Sequence, residues 1–176
     1  MTRYAASADA NPGAHHTLEE TERAVADRLA TMSVDVPAMA AVSSVYRAAG
    51  AVRNHLERTV LAPHDLTWTS WVVLWVVWIW GEIETRHVAE EAGISKGTLT
   101  GVANTLEGRR LLKRRTHPDD ARRVLLSLTP SGRRTMDKLF PEFNAAESHV
   151  IDDLTVNERD VLTRALRKIV LHVEAE

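Results

Sequence analysis

Between residues 86 and 134 of this 176-residue chain, the spacing of apolar and polar positions changes from helical to strand-like and back to helical. A short helix over residues 85–92 is predicted, with Val88 and Ala89 turned inward. Gly93 supplies the turn that follows, because glycine adopts a positive φ without a steric penalty. A second amphipathic helix, two strand-like runs and a new helix come next. This order predicts a helix-turn-helix followed by a β-wing.

The second helix of the motif has two different faces. Ser95 is its predicted N-cap. Apolar residues at helical spacing form the core-facing side: Leu99, Val102, Ala103 and Leu106. An ordinary solvated face would be rich in Glu and Lys. The opposite side of this helix instead carries mostly small and polar residues: Lys96, Gly97, Thr98, Thr100, Gly101 and Asn104. Such a side permits close approach to base edges and phosphates, so the pattern favours a helix that reads DNA.

The two strand-like runs are residues 113–117 and 123–128, and a turn over residues 118–121 joins them. Arg122 and Arg123 lie on this wing, where arginine side chains can reach the DNA backbone or the minor groove. We interpret Asp120 as a partner that orients one of these arginines.

Charge is distributed unevenly along the chain. The formal net charge is −2, yet residues 86–134 hold eleven Lys and Arg against five Asp and Glu. Much of this positive charge lies just after the second helix of the motif, which we call the recognition helix. Arg114 and Arg115 are therefore further candidates for phosphate contacts. The remaining sequence is acidic, which limits indiscriminate binding to polyanions.

The N-terminal region is predicted to contain a tail and two helices. Residues 1–16 are predicted to be disordered, and we do not interpret His15 and His16 as a metal site. Thr17 and Glu20 fit a capping box for a helix over residues 18–32. A longer helix is predicted from Asp35 to about Thr59. Its apolar positions recur at spacings of three and four, typical of helices packed lengthwise: Val42, Val45, Ala49, Val52, Leu56 and Val60.

A tryptophan-rich helix is predicted over residues 67–80 and ends at Gly81. Four indoles share one face of it: Trp68, Trp71, Trp75 and Trp78. One interpretation is a central core helix, buried on nearly all sides. The other is that some indoles, with His55, line a cavity for a flat aromatic effector. The two interpretations are compatible.

The chain closes with two more predicted helices. The first runs over residues 131–152, with a kink or joint expected at Pro141. Thr155 and Glu158 form a second capping box, and the last helix carries an apolar stripe. These helices have more apolar surface than one small head covers, so a homodimer is expected.

Composition limits the function further. The chain has no cysteine, which excludes disulfides and cysteine-based metal sites. We identify no signal peptide, no transmembrane run, no catalytic residue set, no metal site and no cofactor motif, so a cytoplasmic, non-enzymatic protein is expected.

Several of these segments together resemble the MarR-type winged-helix transcriptional regulators: VAEEAGIS, TLTGVANTLE, Asp120-Ala121-Arg122 and the run from Leu128 to Gly132. The resemblance implies a homodimer that reads a palindromic operator, with a ligand pocket where the dimerisation lobe meets the head. It also implies major-groove contacts from Ser95, Lys96, Thr98 and Thr100. Arg122 would be the wing-tip arginine, oriented by Asp120.

Two positions depart from the family pattern. Gly101 stands where such regulators often carry an arginine, and Arg110 stands where they usually have glycine before the wing. Either Gly108 ends the recognition helix early, or Arg110 adopts a left-handed conformation at a cost of about 1 kcal/mol.

The predicted fold is mainly α with a small β-wing. Residues 63–130 form the winged helix-turn-helix head. Residues 34–62 and 131–176 form a helical dimerisation lobe, and residues 17–33 form an extra N-terminal helix. We expect a regulator, acting as a repressor, that binds double-stranded DNA and is released by a small aromatic or phenolic effector. The alternative is a winged-helix module that serves protein contacts without binding DNA.

Overall fold

A computed structural model describes residues 16–175, so the predicted tail over residues 1–16 lies, except for its last residue, outside the described part of the chain. The chain divides into two compact units, with the boundary between Asn54 and His55. The proposed division into a dimerisation lobe and a head remains a prediction.

The first unit contains two helices. Helix α1 spans Leu18–Leu29 and begins with the predicted capping box, in which Thr17 and Glu20 bond each other's backbone amides. It ends three residues earlier than predicted because residues 30–32 form a turn. Helix α2 spans Val36–Leu56 and thus crosses the boundary between the units. None of the described residues up to Asn54 is buried.

The end of α2 differs from the prediction of one helix to about Thr59. The α-helical pattern stops at Leu56 and continues as a π-helical turn, Glu57–Leu61, and a 3₁₀ turn, Ala62–His64. Leu56, Val60 and Leu61 are buried. The wider and then tighter turns lead the chain to Asp65, which has a φ of +54°.

Helix α3 spans Trp68–Trp80, with Thr67 as its N-cap and Gly81, at a φ of +74°, after its last residue. Its central valines and leucine are buried, as expected of a core helix. The prediction of burial on nearly all sides was wrong, however, because Trp75, Ile79 and Trp80 are exposed. One face of α3 therefore remains open within the second unit.

Helix α4 spans Thr85–Glu91 and helix α5 spans Lys96–Gly108. The wing is an antiparallel sheet of three strands, β1 (Ile83–Glu84), β2 (Leu112–His117) and β3 (Asp120–Leu128), with β3 in the centre between β1 and β2. The sequence predicted β2 and β3 but missed β1, which pairs with β3. The tip is also tighter than predicted: residues 118–119 turn, and β3 begins at Asp120.

Helix α6 spans Pro130–Val150 and contains Pro141 without interruption, so no joint divides it. Its first turn packs tightly, since a Cβ built on Gly132 would lie 2.0 Å from the carbonyl oxygen of Leu111. Helix α7 spans Val156–Glu174 and starts with the second predicted capping box. Across residues 16–175, no helix combines the length and apolar character needed to cross a membrane.

Candidate nucleic-acid interface

Helices α4 and α5 are joined by the predicted glycine turn. Gly93 has a φ of +61°, and the amide of Ile94 donates to the carbonyl of Ala89 at 3.0 Å. Ser95 then caps α5, because its Oγ accepts from the amide of Thr98 at 3.1 Å. Val88 and Ala89 are buried, so α4 holds the start of α5 in a fixed position.

Helix α5 has the two faces that its sequence predicted. Leu99, Ala103 and Leu106 are buried. The hydroxyl of Thr100 donates to the carbonyl of Lys96 at 2.9 Å. The small polar face is exposed: Ser95, Lys96, Gly97, Thr98, Thr100, Gly101 and Asn104. This face is narrow and carries hydrogen-bonding groups, as a major-groove helix requires.

The end of α5 resolves the two alternatives for Arg110. Gly108 belongs to the helix, and Arg110 has a φ of +58°. Two backbone hydrogen bonds stabilise this left-handed residue: the Leu111 amide donates to the Leu106 carbonyl at 2.9 Å, and the Arg110 amide donates to Glu107 at 2.8 Å.

Arg109 is bound away from the recognition face. Its guanidinium donates to the carbonyls of His64 and Asp65, at 2.8 and 2.5 Å. The carbonyls belong to the loop before α3, so Arg109 ties the end of α5 to that loop.

Arg114, at the start of the wing, is held by α5. Its guanidinium donates to Asn104 Oδ1 at 2.6 Å, to the Thr100 carbonyl at 3.2 Å and to the carboxylate of Glu107. Glu107 also accepts from the backbone amide of Arg114 at 2.9 Å. We call Arg114, Glu107 and Asn104 the clamp, because they fasten β2 to the recognition helix.

Arg115 and Arg123 pair with carboxylates around β1. Arg115 donates to both oxygens of Glu82, at 2.5 and 3.2 Å, and this hydrogen bonding lowers the pKa of Glu82. Glu84 binds Arg123 and Arg86. Burial of Glu84 favours its neutral form, but the hydrogen bond and charge of Arg123 outweigh burial, so its pKa is also lowered. These carboxylates therefore stay ionised at neutral pH.

At the tip of the wing, Asp120 Oδ1 accepts from the backbone amide of Arg122 at 3.0 Å and from its Nε at 3.2 Å. The backbone hydrogen bond, and then the side-chain hydrogen bond, lower the pKa of Asp120. The Arg122 side chain is 92% exposed. Asp120 thus orients the guanidinium through its Nε, while most of the Arg122 side chain remains open to solvent.

A cleft of about 340 Å³ separates α5 from the wing. Leu99, Ala103 and Val124 contribute apolar lining, and three cationic side chains lie among the other residues: Arg86, Lys96 and Arg114. Cationic side chains therefore line the groove beside the recognition helix, and two of them, Arg86 and Arg114, are paired with carboxylates outside the lining.

A second cavity, of about 400 Å³, lies between α3 and α6. It brings together three of the predicted indoles: Trp68, Trp71 and Trp75. The sequence did not single out its other lining residues, which are Val72, Phe140, Phe143 and Glu147. Of the remaining candidates, Trp78 packs on Phe140 and donates to Asp137 at 3.2 Å, and His55 lies beside His149.

Sequence reasoning also missed the carboxylates that bind the wing arginines. Glu107 lies seven residues before Arg114, at the end of α5, while Arg114 lies on β2 beyond the turn, so helical spacing gives no signal for this pair. Glu82 and Glu84 immediately follow the glycine that ends α3, and their acidity next to a basic wing was the available clue. Their partners become evident only once β1 is placed beside β3.

Comparison with known proteins agrees with this architecture. Residues 66–124 match the model of the MarR family. The chain is 34% identical to the HTH-type transcriptional regulator YwaE of Bacillus subtilis (strain 168), over 88% of this chain and 92% of that protein. The chain belongs to the MarR family. It is accordingly a DNA-binding transcriptional regulator rather than an enzyme.

Solved structures of two other proteins share the fold. BpsR of Bordetella bronchiseptica, whose DNA binding is regulated by 6-hydroxynicotinic acid, is 26% identical with a TM-score of 0.68, over 74% of this chain and 98% of that one. A cysteine-to-serine mutant of E. coli MarR, solved with operator DNA, is 20% identical with a TM-score of 0.67, over 77% and 99%. The second likeness concerns the fold alone.

Proposed function

We propose that this MarR-family regulator binds a palindromic operator as a homodimer and represses transcription by occupying it. The observation that supports this most strongly is the exposed polar face of α5 beside the solvent-exposed Arg122. In this proposal six residues of α5 and its N-cap contact the major groove: Ser95, Lys96, Gly97, Thr98, Thr100 and Asn104. A MarR mutant of the same fold was solved with operator DNA, which supports the assignment.

The wing arginines have different roles in this proposal. Arg122 contacts the DNA backbone or the minor groove, with Asp120 setting its direction. Arg115 and Arg123 release the carboxylates of Glu82 and Glu84 and bind DNA phosphates instead. Both arginine side chains are partly exposed, so DNA can reach them. Arg114 stays in the clamp and fixes the recognition helix relative to the wing.

The apolar surface of α7 supports the proposed dimerisation. Helix α7 has no buried residue, and its apolar stripe is exposed: Val161, Leu162, Leu166, Ile169, Val170 and Val173. A second copy of the chain would cover this stripe, since two-fold pairing buries the same surface on both subunits. Two-fold symmetry would then place two recognition helices in successive major grooves.

The cavity between α3 and α6 is the proposed effector site. Its aromatic lining suits a flat ligand, and the DNA binding of BpsR is regulated by an aromatic compound. Helix α3 leads through Gly81 into β1, which is part of the wing sheet, so a ligand that shifts α3 would also shift the wing.

A gel-shift experiment at two salt concentrations, with the DNA upstream of the gene that encodes this protein, tests this function. We expect a complex that prefers this sequence over random DNA and weakens as salt rises. A protein that forms no salt-sensitive, sequence-preferring complex with DNA would contradict the proposal.

A further inference from the structure

The cavity between α3 and α6 is formed mainly by aromatic rings. The indole of Trp71 stacks on Phe143, with centroids 4.2 Å apart and planes 23° apart. Trp68 tilts against the same phenyl ring at 6.2 Å. Trp75 also lines the cavity, and 39% of its surface is exposed, so the cavity opens toward solvent there.

One lining residue carries a formal charge, and that charge is negative. Glu147 lies one helical turn after Phe143 on α6, and its Oε2 accepts from Asn144 Nδ2 at 3.1 Å. The residue is exposed, so its carboxylate lies at the rim of the cavity with capacity for a further donor. None of the described residues that line this cavity is Lys, Arg or His.

Two neighbouring titratable side chains on α6 already have partners. Glu142 lies 3.1 Å from the ring of His64, and His149 pairs with Asp152 at 3.3 Å. Glu147 is therefore the side chain whose charge a ligand in this cavity would meet.

We propose that the effector cavity selects an organic cation, a protonated amine or quaternary ammonium attached to an apolar or aromatic group. The face of an indole or phenyl ring carries negative potential, which attracts an ammonium group and repels a carboxylate. Glu147 adds a full negative charge on the same side. An aromatic acid would face both repulsions without a cation from the lining residues to offset them.

This inference rests on the proposal that the cavity is the effector site, and it deepens that proposal by naming the charge of the ligand. It distinguishes the cavity from a site for an aromatic acid such as the compound that regulates BpsR.

Three probes with the same phenyl group separate charge from shape: phenylethylamine, phenylethanol and phenylpropanoate. Each is titrated at neutral pH into the full-length protein while tryptophan fluorescence is followed, since three indoles line the cavity. We expect the amine to bind on the order of tenfold more tightly than the acid, with the alcohol between them. Glu147→Gln should remove most of this preference and leave the affinity for the alcohol unchanged.

Glu142→Gln is the matched control, because it removes the same charge from the same helix at a residue outside the lining. It should keep the preference for the amine. Tighter or equal binding of the acid, a preference that Glu147→Gln leaves undiminished, or no binding of the amine would each overturn the inference.

A parallel titration of operator DNA with the same protein keeps the two proposals apart. Acid binding that releases DNA would overturn the choice of a cation and leave the effector site in place. Failure to bind DNA at all would instead contradict the proposed function.

Discussion

The arginines of the wing differ in how much of their charge is available to DNA. Arg122 is 92% exposed, whereas Arg114 is 29% exposed and contacts three groups of α5. Transfer of Arg114 to a phosphate would leave the carboxylate of Glu107 without its partner, which is costly for a partly buried charge. The two arginines should therefore contribute to operator affinity through different mechanisms.

Arg122→Ala should weaken operator binding roughly tenfold at low salt, because it removes the proposed contact of an exposed arginine with the DNA backbone. The slope of log affinity against log salt concentration should fall in magnitude by about one for each subunit that loses this contact. Fluorescence anisotropy at several salt concentrations measures both quantities, and size-exclusion chromatography should show an unchanged dimer. Unaltered affinity would reject the role of Arg122 in the wing.

Arg114→Ala should also weaken operator binding, by roughly tenfold, because α5 and the wing lose their shared hydrogen bonds. Its salt slope should remain that of the wild type, since no phosphate contact is lost. Glu107→Gln, which weakens the clamp without removing any cation, should change affinity in the same direction. If Arg114→Ala lowers the slope as Arg122→Ala does, Arg114 contacts phosphate and the clamp is not its function in the complex.

Gly132→Ala should destabilise the fold by about 3 kcal/mol, the upper end of the range for overpacking, because the new Cβ would overlap the Leu111 carbonyl. Urea unfolding should show a lower midpoint with an unchanged slope. Gly108→Ala is the control: it also places a methyl group on a helix, but with nothing within 4 Å. That variant should be stable to within about 1 kcal/mol of the wild type or better, and equal effects would contradict the packing argument.

At the scale of elements, local signals predicted most of the fold. Capping residues at Thr17, Ser95 and Thr155, together with apolar periodicity, located helix starts within a residue or two. Strand β1 was missed because two residues between helices carry no alternating pattern, and only pairing with β3 makes them a strand. The turns after Leu56 were missed because a π-helical turn has the same composition as an α-helix.

The candidate site was less predictable than the fold. Periodicity gave the exposed face of α5, and the resemblance to the MarR family anticipated the Asp120–Arg122 contact. The partners of Arg114, Arg115 and Arg123 come from other elements, so no local spacing announces them. The sequence of α3 predicted the aromatic residues that this helix contributes to the cavity. Phe143 and Glu147 could not be predicted in the same way, because they join the cavity only through the packing of α6 on α3.

Helix α3 links the cavity to the wing, and Trp75 is its most accessible lining indole. An effector that binds the cavity should quench tryptophan fluorescence, and Trp75→Ala should give a smaller response and weaker binding. Trp80→Ala, which removes an indole 60% exposed and outside the lining, is the matched control. Equal loss of response in both variants would show that the signal does not come from this cavity.

At the scale of the whole molecule, charge is distributed unevenly, so attraction to DNA is confined to one segment of the chain. The excess of Lys and Arg lies in residues 86–134, while the rest of the chain is acidic. Much of the positive charge beside α5 is bound by Glu82, Glu84 and Glu107. We therefore expect weak binding to random DNA, with preference for the operator arising from the face of α5.

Leu166→Glu should prevent dimerisation, because it places a charge in the apolar stripe of α7 that a second copy would bury. The resulting monomer should lose most of its operator affinity, since only one recognition helix remains per complex. Lys168→Glu changes the charge on the opposite side of the same helix and should leave the dimer intact. Sedimentation velocity measures both, and a Leu166→Glu protein that remains dimeric would place the interface elsewhere.

Hydroxyl-radical footprinting of the DNA upstream of the gene tests the central claim most directly, namely that two copies of α5 read one palindrome. We predict protection that is symmetric about a dyad, with the centres of the two protected half-sites about 34 Å apart, one turn of the DNA helix. Arg122→Ala should lose the outer part of each protected segment and keep its centre. A single protected segment without symmetry, or no protection at concentrations where the protein is dimeric, would contradict the account.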